Sequence, residues 1–71
     1  MPAVEDAVKH KFRVGDIVIV KPRAPPYVPR GSYEILRQLW SEAEGAHYRV
    51  KSLRDGHQRT IREAYLVEVS A

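Results

Sequence analysis

Four prolines, Pro22, Pro25, Pro26 and Pro29, fall within eight residues of one another and constrain this chain more than any other feature. Each fixes φ at about −65° and has no amide hydrogen, so neither a helix nor a central strand can run through them. Lys21 to Arg30 is therefore expected to form a stiff, extended loop, closed by Gly31. On its N-terminal side Ile17-Val18-Ile19-Val20 is a β-branched run of strand length, and on its C-terminal side Ser32 to Trp40 resumes as a strand.

The rest of the chain continues in strand-sized pieces. Phe12 and Val14 alternate before a turn at Gly15-Asp16. Within Ser32 to Trp40, Tyr33 and Ile35 share one parity, Leu36 and Trp40 take the other, and Leu39 returns to the first; this predicts a bulge near Arg37, of the kind that bends a sheet into a small barrel. Ser41 to Gly45 makes the next connection. His47 to Leu53 then alternates, with Tyr48, Val50 and Ser52 on one face and His47, Arg49 and Lys51 on the other.

Asp55-Gly56 is the dipeptide favoured in two-residue type I′ hairpin turns. Such a turn sets Arg54 against His57, Ser52 against Arg59, Val50 against Ile61 and Arg49 against Arg62. Glu63 to Leu66 reads as one helical turn and Val67 to Val69 as a last strand. The expected core is Phe12, Val14, Val18, Val20, Tyr33, Ile35, Tyr48, Val50, Ile61 and Leu66. Seventy-one residues suffice for one domain, taken as residues 12–71 behind a flexible N-terminal segment, 1–11.

Five strands with a helical turn before the last match the SH3-like barrel layout. From Phe12 to Val69 the chain also resembles a group of small uncharacterised bacterial proteins, many alphaproteobacterial. The resemblance is carried by Phe12-x-Val14-Gly15-Asp16-x-Val18, Gly31-x-Tyr33-Glu34-Ile35, Tyr48-Arg49-Val50-Lys51-Ser52 and Arg59-x-Ile61-x-Glu63-x-x-Leu66. Trp40 departs from the pattern, where a proline is expected after the leucines. The resemblance implies an all-β, SH3-like barrel and no particular activity.

Cysteine is absent, so neither a disulfide nor a thiolate metal site can form, which suits a reducing cytoplasm. The N-terminal residues lack an apolar signal core, and no apolar run exceeds the four residues of Ile17 to Val20, so no membrane association is expected. No nucleophile signature, phosphate-binding glycine loop or carboxylate pair stands out; an enzyme, a cofactor and a small-molecule substrate are not indicated. In the hairpin register above, His47 and His57 lie roughly 23 Å apart, too far to share a metal ion.

Charge is more informative. The formal net charge is +3, and between Arg49 and Arg62 five cations meet Asp55 alone, a local +4. Arg49 and Arg62, set opposite each other with Lys51 on the same outward face, would repel, and a polyanion would relieve that repulsion. The leading expectation is a non-catalytic module contacting RNA or DNA phosphates through Arg49, Lys51 and Arg62, with Trp40 or Tyr27 stacking on bases. The alternative is a protein-interaction or homodimerising module, using the proline loop as a polyproline ligand and the Ile17–Ile19 face of the first strand.

Overall fold

The computed structural model describes residues 10–69. The flexible segment expected over residues 1–11 lies outside the described residues as far as Lys9. Of its last two residues, His10 places Nε2 2.7 Å from the Leu39 carbonyl, and the Lys11 amide donates to Glu63 Oε2 at 2.7 Å.

The chain is all-β. Strands β1 (Ile17–Val20), β2 (Ser32–Ser41), β3 (Gly45–Ser52), β4 (Gln58–Arg62) and β5 (Leu66–Glu68) form one antiparallel sheet in the order β4-β3-β2-β1-β5. A single 3₁₀ turn, Glu63–Tyr65, separates β4 from β5 where a helical turn was expected. The sheet is open rather than closed: β4 and β5 are its two edges, and no ladder joins them. The 3₁₀ turn carries the chain from one edge to the other, where the Lys21 amide donates to the Tyr65 carbonyl, and only three residues of β5 then pair, all with β1. Among the described residues no helix is long and apolar enough to cross a membrane.

The concave side of the sheet holds the core. Val18 lies opposite Tyr33, Ile35 opposite Val50, and Tyr48 opposite Ile61, all buried. Nine of the ten expected core residues are there; Val14 is not. Asp16 closes a turn on Arg13, its amide donating to the Arg13 carbonyl while its carboxylate accepts the Arg13 amide, and this leaves Val14 64% exposed. Ala24 and Val28, both from the proline loop, are buried in the core as well.

That loop is folded, not extended. Ala24 donates to the Lys21 carbonyl and Val28 to the Pro25 carbonyl, making two successive β-turns. The Arg30 guanidinium ties them together, donating to the carbonyls of Val28 (2.8 Å) and Pro25 (3.2 Å) through one nitrogen and of Ala24 (2.7 Å) and Pro22 (3.3 Å) through the other. With these carbonyls turned inward on one side chain, the loop does not present the regular polyproline helix that a ligand for another domain would need.

A bulge lies between Ile35 and Arg37, where it was expected, with Leu36 the extra residue. The hairpin register differs from the expected one. Tyr48 faces Ile61, Val50 faces Arg59, Arg49 faces Thr60, and His47 faces Arg62, a displacement of two residues. The cause is the loop. A type I′ turn needs positive φ at both central residues, but Gly56 has φ 77° and no described non-glycine residue has positive φ. Instead the Ser52 amide donates to the His57 carbonyl, closing a four-residue loop. Ser52 Oγ accepts the Arg54 amide at 3.1 Å, and Asp55 Oδ1 accepts the His57 amide at 2.9 Å. The His57 amide holds the Asp55 carboxyl below its usual range.

Open space surrounds the position a Gly56 side chain would occupy, so its substitution tests backbone conformation alone. Gly56→Ala is expected to cost about 1–2 kcal/mol in urea denaturation, and Gly56→Asn clearly less, because asparagine tolerates the left-handed region.

A partly buried polar network runs from the core to the surface at Tyr48 and Glu63. The Tyr48 hydroxyl donates to Glu63 Oε2 at 2.6 Å and accepts the Phe12 amide at 3.1 Å. The same Glu63 oxygen accepts the Lys11 amide, so one carboxylate joins β3, the 3₁₀ turn and the segment before β1.

Candidate functional site

The bulge at Leu36 decides what faces outward. Strict alternation from Ile35 would turn Arg37 toward the core; the extra residue rotates the rest of β2, so Arg37 emerges directly opposite Arg49. Both are exposed, and neither forms an ion pair among the described residues. Arg49 is steadied by a 3.3 Å hydrogen bond from its Nε to Gln58 Oε1. Arg49 thus does face an arginine, but on β2 rather than β4.

The other expected site residues divide between two places. Lys51 shares the outer face and lies between Glu34 and Gln58 in the ladder. Arg62 sits on the same face diagonal to Arg49, with Glu44 Oε2 3.8 Å from its guanidinium. Trp40 does not join them. It pairs with Ala46, on the side of the sheet that carries Tyr48, and stands 49% exposed at the end of the β2–β3 hairpin, so it offers no stacking surface beside Arg49.

The register also alters the histidines. His47 is buried on the outward-facing parity, with Nδ1 2.8 Å from the Gly45 carbonyl and Nε2 3.9 Å from Glu44. His57 now pairs with Ser52, five residues along β3, so the two histidines stand about 17 Å apart. Among the described residues no cluster of histidines and acids could hold a metal ion.

Tyr27 belongs to a second feature, a cleft of about 310 Å³ between the proline loop, the edge strand β4 and the 3₁₀ turn. Its polar lining residues are Tyr27, Glu44, Arg59, Thr60, Arg62 and Tyr65. Arg59 follows from the register: facing Val50, it points to the concave side near the sheet's edge, half-buried, and its Nε–H meets no acceptor among the described residues. Tyr27 is 78% exposed. The Tyr65 hydroxyl facing it pushes the Tyr27 phenol above its usual range, an effect that the positive charge of Arg62 partly offsets.

No family model, curated protein or solved structure matches this chain. Its surfaces must therefore be read from their own chemistry. Besides the arginine pair and the cleft, a third surface is apolar: Ile19 lies opposite Val67, and the Val69 amide donates to the Ile17 carbonyl, so these four side chains share the outer face of β1 and β5. Ile19, Val67 and Val69 are exposed, and Ile17 is partly covered.

The expected register already set Arg59 on the core side, opposite Ser52, but gave no sign of the cleft it lines. The two-residue displacement keeps Arg59 on that side and moves it from Ser52 to Val50, at the lip of the cleft. Arg37 was within reach, since the bulge that exposes it was expected.

Proposed function

We propose that this chain is a non-catalytic binding module of SH3-like architecture that holds the phosphate backbone of RNA or DNA on the outer face of β2, β3 and β4. One observation carries the reading: Arg37 and Arg49 stand directly across from each other, exposed and without an acidic partner among the described residues. Like charges in directly opposed cross-strand positions destabilise a sheet, and bridging phosphates turn that repulsion into attraction. Lys51 and Arg62 extend the same face. Glu34 and Glu44 stand beside those two cations and leave the Arg37–Arg49 pair as the centre of positive potential.

With no exposed aromatic ring on this face among the described residues, binding is governed by phosphates and indifferent to sequence. The strand order and the 3₁₀ turn before β5 support the SH3-like layout. A reducing, cytoplasmic setting fits a chain without cysteine.

Fluorescence anisotropy with labelled oligonucleotides tests this. Affinity is expected to fall steeply between about 50 and 200 mM salt, and replacing Arg37 and Arg49 together with alanine should reduce the log–log salt slope by roughly 1.4–1.8. Absence of binding at the lowest salt sinks the reading.

A second reading, self-association, rests on the exposed Ile19, Val67 and Val69. A stable dimer buries about 800 Å² on each partner, far more than these three exposed side chains and the partly covered Ile17 supply. Sedimentation is accordingly expected to show a monomer at micromolar concentration; a stable dimer that Ile19→Lys dissociates would favour this reading instead.

A further inference from the structure

We propose that the cleft beside β4 takes a single nucleotide unit, its phosphate on Arg59 and its base against Tyr27. This rests on the nucleic-acid reading above and names a second, more discriminating site next to the phosphate-binding face.

The first argument concerns Arg59. Its Nε–H is buried and unpartnered among the described residues, while the cleft opens onto the same side chain. A charged donor left without an acceptor is costly, and an anion entering the cleft removes that cost. Arginine suits a phosphate oxygen here because its planar fork presents a second donor alongside Nε.

The second argument concerns the aromatic wall. Tyr27 projects from a loop that Arg30 holds through four carbonyls, so the ring is exposed yet anchored. Tyr65, on the 3₁₀ turn, faces it. Rings held in this way offer a platform on which a base can stack with little further ordering.

Glu44 narrows the ligand class. Its carboxylate lies on the cleft wall 3.8 Å from Arg62, where it repels a second phosphate but accepts hydrogen bonds from ribose hydroxyls or a base amino group. At about 310 Å³ the cleft lies at the lower end of the range of about 300–1,000 Å³ for small-ligand sites, room for one ring and one phosphate rather than a longer run. Arg62, reaching both the cleft and the outer face, lets a strand that crosses Arg37 and Arg49 deliver its terminal or unstacked nucleotide here.

The test is titration of the ¹⁵N-labelled protein with adenosine monophosphate, uridine monophosphate and inorganic phosphate, followed by amide chemical shifts. Both nucleotides are expected to move the resonances of Tyr27, Arg59 and Tyr65, with phosphate alone about tenfold weaker. Arg59→Gln should weaken nucleotide binding about tenfold or more while leaving thermal stability equal or higher, since it removes the orphaned charge. Tyr27→Ala should weaken nucleotide binding but not phosphate binding. Phosphate binding as tightly as the nucleotides, shifts confined to the outer face, or Arg59→Gln without effect would each overturn the proposal. Oligonucleotide binding measured in parallel separates the two claims. If oligonucleotides bind through Arg37 and Arg49 but mononucleotides leave the cleft untouched, the cleft assignment fails and the outer face stands. If mononucleotides enter the cleft and oligonucleotides do not bind, the outer face fails.

Discussion

Arg30→Ala is expected to lower the stability of this fold by about 2 kcal/mol and to release the loop that carries Tyr27. The side chain donates to four backbone carbonyls; the contacts with Ala24 and Val28, at 2.7 and 2.8 Å, are partly buried, and those with Pro22 and Pro25 are longer and exposed. Hydrogen bonds from a charged donor contribute about 1.5–3 kcal/mol each when shielded, and much less when solvated. Two partly shielded contacts therefore carry the effect. For a domain of this size about 2 kcal/mol is a large share of the total and corresponds to a fall in Tm of roughly 8–16 °C. Arg30→Lys should recover less than half of the loss, because an ammonium cannot span four carbonyls arranged around a fork. Urea denaturation gives the stability, and hydrogen exchange at the Ala24 and Val28 amides reports the loop. Unchanged exchange at those two amides would show that the prolines alone hold the turns.

How far the sequence could be read is clearest in the β3–β4 hairpin. Alternation assigned Tyr48, Val50 and Ile61 to the core, and all three are there. It could not choose between setting Ile61 against Val50 and setting it against Tyr48, because these registers differ by two residues and a shift of two preserves every face. What decides is the loop chemistry of Ser52 and Asp55, whose side chains recruit three amides into a four-residue connection. Asp55-Gly56 alone suggests a tighter turn. The choice then determines the cross-strand neighbours, since it gives Arg49 a threonine on β4 and sets Arg59 beside Val50 rather than Ser52.

The bulge teaches a related lesson. Mixed parity in β2 located it correctly, but its consequence for charge lies one residue further on, where Arg37 changes sides and Gln38 turns inward to donate to the Phe12 carbonyl at 2.7 Å. The proline loop misled in another way. Its composition excludes a helix, as read, yet whether it runs extended or turns back depends on Arg30 from outside the proline cluster and on two small apolar residues, Ala24 and Val28, that only tertiary packing marks as core.

Tyr48→Phe is expected to cost about 2 kcal/mol at neutral pH and distinctly less in acid. Loss of the hydroxyl leaves the buried Phe12 amide without its acceptor, a penalty of about 1–3 kcal/mol, and takes one donor from Glu63. Burial raises the pKa of the Glu63 carboxyl, but the Lys11 amide, the Tyr48 hydroxyl and the charges of His10 and Lys11 together outweigh it and hold the group below its ordinary value. Tyr48 itself is pushed well above the usual phenol range, by burial first and then by the carboxylate it donates to, so it stays protonated throughout. Because the folded-state pKa of Glu63 is depressed, its contribution is complete above the unfolded value of about 4.3 and is lost as pH falls through the folded value. Wild type should therefore lose stability on acidification more steeply than Glu63→Gln, which has no proton to take up at this position. Tyr48→Phe should fall between the two, since it retains the carboxylate but weakens what depresses it. Urea midpoints of the three proteins from pH 7 down to about pH 3 give the comparison. Parallel acid limbs in wild type and Glu63→Gln would place the acid sensitivity elsewhere and reduce the Tyr48 effect to the single orphaned amide of Phe12.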